Sequence, residues 1–102
     1  MTLELSSAQR KRLRGLAHGL DPIVHLGKDG LSEPALAQIE RELSQHELIK
    51  IRFLAGKEEK GALAQEIESR LSCALAGLVG HVAVFYRPHA EPKKRRIDPD
   101  GA

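Results

Sequence analysis

From Leu48 to Phe53 the chain reads Leu-Ile-Lys-Ile-Arg-Phe. Ile49, Ile51 and Phe53 alternate with Lys50 and Arg52. A period of two is a strand with one dry face and one wet face, and here the wet face is cationic. Such a strand needs a sheet to complete it, and the sequence on either side must supply the rest.

The flanks read as alternating helices and strands. Residues 1–20 are predicted helical. Ser6-Ser7-Ala8-Gln9 fits a capping box, and Leu13, Leu16, Ala17 and Leu20 recur at helical spacing as one buried stripe. Arg10, Lys11 and Arg14 share a flank of it. His18-Gly19, with Pro22 beyond, is a stop. Residues 22–26, Pro-Ile-Val-His-Leu, form a short strand that ends at Gly27-Lys28-Asp29-Gly30. A second helix opens at Ser32 and buries Leu36, Ile39 and Leu43. A third is predicted over residues 58–72, with Leu63, Ala64, Ile67 and Leu71 inward. Strands at about 74–79 and 82–87 flank Gly80-His81, where a leading Gly suits a type II′ turn.

The order helix, strand, helix, strand, helix, strand, strand predicts an α/β fold. Strands joined through helices run parallel, and the final hairpin is antiparallel, so the four-stranded sheet is mixed. Three helices suffice to cover one face, giving a two-layer sandwich, an N-terminal helix plus βαβαββ, whose other face is partly open around Lys50 and Arg52. The 102 residues suit one domain, placed at residues 1–90. Residues 91–102 hold Lys93-Lys94-Arg95-Arg96, several breakers and one large aliphatic, Ile97. They are expected to form a basic flexible tail. The single cysteine, Cys73, excludes an internal disulfide and suits a reducing cytoplasm. No apolar run reaches the about 18 residues of a membrane helix, and Met1 to Ser6 lacks a signal-peptide start. A cytoplasmic monomer, with no membrane partner, is expected.

Catalysis finds little purchase. His18, His25, His46, His81 and His89 are scattered, and Cys73 is alone. No metal-ligand spacing occurs, and nothing assembles a nucleophile, a base and an oxyanion site. No enzyme, cofactor, metal or small-molecule substrate is expected. Gly27-Lys28-Asp29-Gly30 lies between a strand and a helix N-terminus, where backbone N–H groups and a lysine favour a phosphate. It is neither a Walker A loop nor a dinucleotide fingerprint. Arg10, Lys11, Arg12 and Arg14 form one basic group, Lys50 and Arg52 a second, and Arg87 with residues 93–96 a third. The net charge is only +2, so this is segregation of charge: acids crowd residues 33–68 and cations the ends. That pattern suits a polyanion. With no Trp, one Tyr and two Phe, base stacking is a poor mode of recognition. Clamping an RNA backbone with a GxxG loop needs no aromatics. The competing reading is a protein-interaction adaptor whose basic ends grip an acidic partner.

Four segments carry a resemblance. They are residues 13–18 (Leu-Arg-Gly-Leu-Ala-His), 22–31 (Pro-Ile-Val-His-Leu-Gly-Lys-Asp-Gly-Leu), 46–51 (His-Glu-Leu-Ile-Lys-Ile) and 84–88 (Val-Phe-Tyr-Arg-Pro). In this order they resemble the CRM domain, the chloroplast RNA splicing and ribosome maturation family, in its stand-alone bacterial YhbY-like form. The resemblance spans about residues 5–88. It implies a fold like the C-terminal domain of bacterial translation initiation factor three, with strand order 1-2-4-3. It also implies RNA binding in ribosome assembly, on rRNA in precursors of the large subunit, with Gly27, Lys28, Asp29 and Gly30 as the family's GxxG loop. Arg10, Lys11 and Arg14 are expected along the neighbouring RNA backbone, with Lys50, Arg52 and Arg87 as further contacts.

Overall fold

The structure is a computed structural model, and it describes residues 4–27, 30–54 and 59–100. Three helices are α1 (Ser7–Ala17), α2 (Glu33–His46) and α3 (Lys60–Leu71). Four strands are β1 (Val24–Leu26), β2 (Leu48–Phe53), β3 (Ala74–Val79) and β4 (Val82–Tyr86). A short 3-10 turn covers Pro92–Lys94. The strands line up as β1-β2-β4-β3. β1 runs parallel to β2, and β4 is antiparallel to both β2 and β3. This is the expected mixed sheet in the expected order.

Local chemistry accounts for most boundaries. The Ser6 hydroxyl accepts from the Gln9 amide while the Gln9 side chain accepts from the Ser6 amide, closing the capping box at α1. Ser32 caps α2 by accepting from the Ala35 amide. Ser72 ends α3 in the left-handed region at φ 51. Gly80 takes φ +59 in the β3–β4 turn, which a leading glycine provides without strain.

The sheet separates two cores by strand parity. Ile49, Ile51, Phe53, Ala83, Phe85, Val24 and Leu26 face α2 and α3, where they meet Ile39, Leu43, Ala64 and Ile67. Leu48, Val84, Tyr86, Ala74 and Ala76 face the other way, against Leu13 and Ala17 of α1. The helices therefore lie on both faces, α2 and α3 on one and α1 on the other. This corrects the expectation that three helices share one face. α1 covers β3, β4 and the Leu48 end of β2, and His25 and Arg52 remain exposed beside it. The expected four-residue stripe of α1 is also narrower. Leu13 and Ala17 are fully buried, whereas Leu16 and Leu20 are 40% and 42% exposed. Over β3 the helix meets only Ala74 and Ala76, so a thin apolar seam suffices there.

Residues 89–100 are seated on the domain, where a tail without packing was expected. Ile97 packs against the α1-side core. The Arg96 amide donates to Glu47 Oε1 at 2.6 Å and the His89 amide to Glu47 Oε2 at 3.1 Å. Arg12 Nε donates to the Asp98 carbonyl, and Gln9 Nε2 to Asp100 Oδ1. Composition gave no sign of this because the anchoring groups lie far upstream in the chain.

Candidate nucleic-acid interface

The loop after β1 closes as a turn: the Gly30 amide donates to the Gly27 carbonyl at 3.1 Å. Gly30 sits at φ +61, a conformation that glycine adopts freely. Gly27 is exposed, and a Cβ placed on it would meet nothing within 4 Å. The fold's own packing therefore does not require a glycine at position 27. Lys28 and Asp29, the central pair of the motif, lie outside the described residues. The donors expected from the α2 N-terminus are fewer than the sequence suggested. The Ala35 amide is taken by Ser32, Pro34 has none, and the Gly30 amide is spent on the turn.

Parallel pairing places His25 opposite Arg52 one residue before the loop's strand ends, on the open side of the sheet. The Arg52 side chain has no hydrogen-bond or ion-pair partner among the described residues, nor have the side chains of Arg10 and Lys11 on the exposed surface of α1. Arg14 is held. Its Nη1 donates to the Ala76 carbonyl at 3.1 Å, and its stem lies across Gly77, where a Cβ would come within 2.4 Å of Cδ. Gly77 is thus a rest for an arginine, a role no local pattern announces. Lys50 donates to the Leu20 carbonyl at 2.9 Å, tying the chain beyond α1 to β2. The sheet face and α1 thus bring Arg10, Lys11, Arg14, Lys50 and Arg52 onto one side of the molecule.

Arg87 is elsewhere. By parity it follows Phe85 to the α2–α3 side, where its guanidinium pairs with the Glu40 carboxylate and donates to the Leu71 carbonyl and the Ser44 hydroxyl. That arginine beside Glu40 holds the carboxyl below its ordinary range. With its donors turned inward, Arg87 is a brace between helices and does not join the other cations. Phe53, Phe85 and Tyr86 are all buried, so all three aromatic side chains of the chain are withdrawn from the surface. Cys73 is fully buried, and that burial pushes its thiol up to about 12, which leaves it a small apolar residue. Glu47 escaped the sequence reading. It is the one buried charged side chain among the described residues, and it holds the segment after β4.

Comparison with known proteins supplies the context. The CRS1/YhbY (CRM) domain family matches residues 5–87. The chain belongs to the CRM family. A Haemophilus influenzae protein named "RNA-binding protein" is 43% identical over 90 residues, covering 87% of this chain and 91% of its own length. A "Probable RNA-binding protein" of Pseudomonas aeruginosa is 33% identical over 93 residues, covering 90% of this chain and 89% of its own length. A Staphylococcus aureus protein solved in solution superposes with a TM-score of 0.79 at 33% identity, over 93% of this chain and all of that one. CRM proteins of this YhbY-like kind form an RNA-binding family, and the sheet order here matches what that resemblance implied.

Proposed function

We propose that this CRM protein binds RNA in ribosome assembly, on rRNA within precursors of the large subunit, with the loop of Gly27, Lys28, Asp29 and Gly30 receiving the RNA backbone. The observation that supports this reading is the place of Gly27: exposed, with nothing among the described residues within 4 Å of a Cβ there, at the end of β1, whose His25 stands opposite the unpartnered Arg52 side chain. An exposed glycine permits close approach of another backbone. Arg10, Lys11, Arg14 and Arg52 then supply charge along the strand as it leaves the loop, and the buried aromatics turn recognition toward backbone rather than bases. The names of the Haemophilus and Pseudomonas relatives agree with an RNA partner, and the family resemblance supports the ribosomal one.

The test is Lys28→Asp, which keeps both glycines. It removes a charge-assisted contact worth roughly 1.5–3 kcal/mol, so RNA affinity falls at least ~10-fold. Arg41→Asp, on exposed α2 across the sheet from α1, is the control of equal charge change. Equal small losses in both variants would reduce the loop to a turn. Crosslinking in cells, with sequencing of the attached RNA, reads out whether large-subunit rRNA is the target.

The adaptor reading has one observation in its favour. A groove of about 370 Å³ is lined by Leu16, Leu20, Ile23, Leu48 and Ile97, at the end of the sheet where β1 begins. Under that reading Lys28→Asp leaves RNA affinity unchanged.

A further inference from the structure

We infer that residues 89–100 form a fixed strap carrying a second phosphate-binding surface, at the opposite end of β2 from the glycine loop. This rests on the RNA reading above and extends it to a two-ended contact. The central observation is Glu47. Its side chain is 2% exposed, and its two oxygens accept from the amides of His89 and Arg96. Its backbone stands at a positive φ of 64, which L side chains rarely adopt. Two separate costs, a buried carboxylate and a non-glycine residue at positive φ, fall on one position. What they secure is a loop closed at both ends on one carboxylate.

A solubilising tail needs no anchor. The exposed part of this loop carries four consecutive cations against one acid, Glu91. Between the two Glu47 bonds lie the Pro92–Lys94 turn and Arg95, and with Arg96 four cations rim a concavity of about 530 Å³ over Ser44 and His89. Lys93 and the Arg96 side chain have no partner among the described residues, Lys94 meets only Glu91 at 3.6 Å, and Arg95 Nε donates to the His89 carbonyl at 2.8 Å. The carbonyl bond orients Arg95 and leaves its remaining donors for a ligand. Ile97, Arg12 and Gln9 fix the far side of the strap. The backbone carrying these cations is therefore held in place, so ordering it on a ligand costs less conformational entropy than ordering a free chain.

Glu47 directly precedes Leu48, the first residue of β2, whereas Phe53, the last, pairs with Leu26 beside Gly27. Six residues of strand place the two surfaces about 20 Å apart. A short RNA reaches one of them and a longer RNA both.

The experiment compares wild-type protein with Lys93→Gln/Lys94→Gln/Arg96→Gln, which keeps Arg95 and every backbone bond of the strap, and with Lys28→Asp. The probes are single-stranded RNAs of about four and about sixteen nucleotides. The triple variant is expected to bind the long RNA about 10-fold more weakly, with the slope of log K against log salt shallower by about 2. Its affinity for the short RNA stays unchanged, while Lys28→Asp weakens both. If the triple variant binds the long RNA like wild type, or loses the same factor on both lengths, the second surface is overturned, and the loop reading still stands on Lys28→Asp. Loss of the Lys28→Asp effect on both RNAs overturns the loop reading itself.

Discussion

At the scale of single residues, Arg14 shows how the fold commits a cation without spending it. Its guanidinium bonds the Ala76 carbonyl through one nitrogen, and its stem fills the space that a side chain at Gly77 would take. Gly77 is not in a left-handed conformation, so alanine there is free of backbone strain. Gly77→Ala must push the Arg14 stem away and break the bond to Ala76. The expected cost is about 1 kcal/mol in chemical denaturation, with RNA affinity falling as far as in Arg14→Ala. The double variant decides between this account and a general effect on the sheet. With Arg14 already shortened, adding Gly77→Ala costs nothing further, so the two changes couple. Strict additivity of the two losses would show that the glycine serves β3 and not the arginine.

Among the elements, α2, α3 and β4 meet at Arg87. Glu40 accepts from its guanidinium, and the Leu71 carbonyl closes α3 onto the same group. The hydrogen bond from Arg87 lowers the Glu40 carboxyl. A carboxyl lowered in the folded state adds stability at pH values above its unfolded value of about 4.3, and that stability is lost as pH falls through the folded value. The Glu40 side chain is 49% exposed, so the contribution stays below about 1 kcal/mol. Glu40→Gln is therefore slightly less stable than wild type at pH 7, and the two converge as pH falls through the lowered folded value of the Glu40 carboxyl. Arg87→Gln strands the Leu71 carbonyl as well, so it costs about 1–3 kcal/mol while leaving RNA affinity within a factor of two. A large affinity loss in a folded Arg87→Gln would return that residue to the RNA surface. These elements also mark what the sequence makes legible. The capping box at Ser6, the Ser32 cap, the alternation of β2 and the Gly80 turn are set by residues within a few positions of one another, and each stands where the pattern put it. The side of the sheet that α1 takes is decided by the path of residues 18–23 across the sheet's end, which no periodicity encodes. Arg87 is one residue past β4, and strand parity sends it to the helix side. The glycine loop was legible as a motif, but the use of Ala35 and Gly30 amides within the fold was not.

Over the whole molecule, which extends 39 × 25 × 24 Å, the strap joins the two ends of the chain. Gln9 and Arg12, near the start, hold Asp100 and Asp98 near the finish, and Ile97 closes the α1-side core. Cutting the chain after residue 90 leaves the His89 bond to Glu47 but removes the Arg96 amide from the other oxygen. It also uncovers the core around Leu5 and Tyr86. A hydrogen bond to a charged group contributes roughly 1.5–3 kcal/mol, and opening the site to water returns part of that by rehydrating the carboxylate. A net loss of at least about 1 kcal/mol is therefore expected, which lowers Tm by about 4–8 °C in a domain of this size. Glu47→Gln in the full chain should fall in the same direction, because an amide can accept one of the two N–H groups but presents its own donor to the other. Replacing the exposed side chains of Lys93, Lys94 and Arg96 touches none of these bonds and should leave Tm within about 1–2 °C of wild type. Differential scanning calorimetry of the three variants separates anchoring from charge. If truncation leaves Tm at the wild-type value, the Glu47 contacts contribute nothing to the folded state, and the cations have no fixed register from which to meet a phosphate chain.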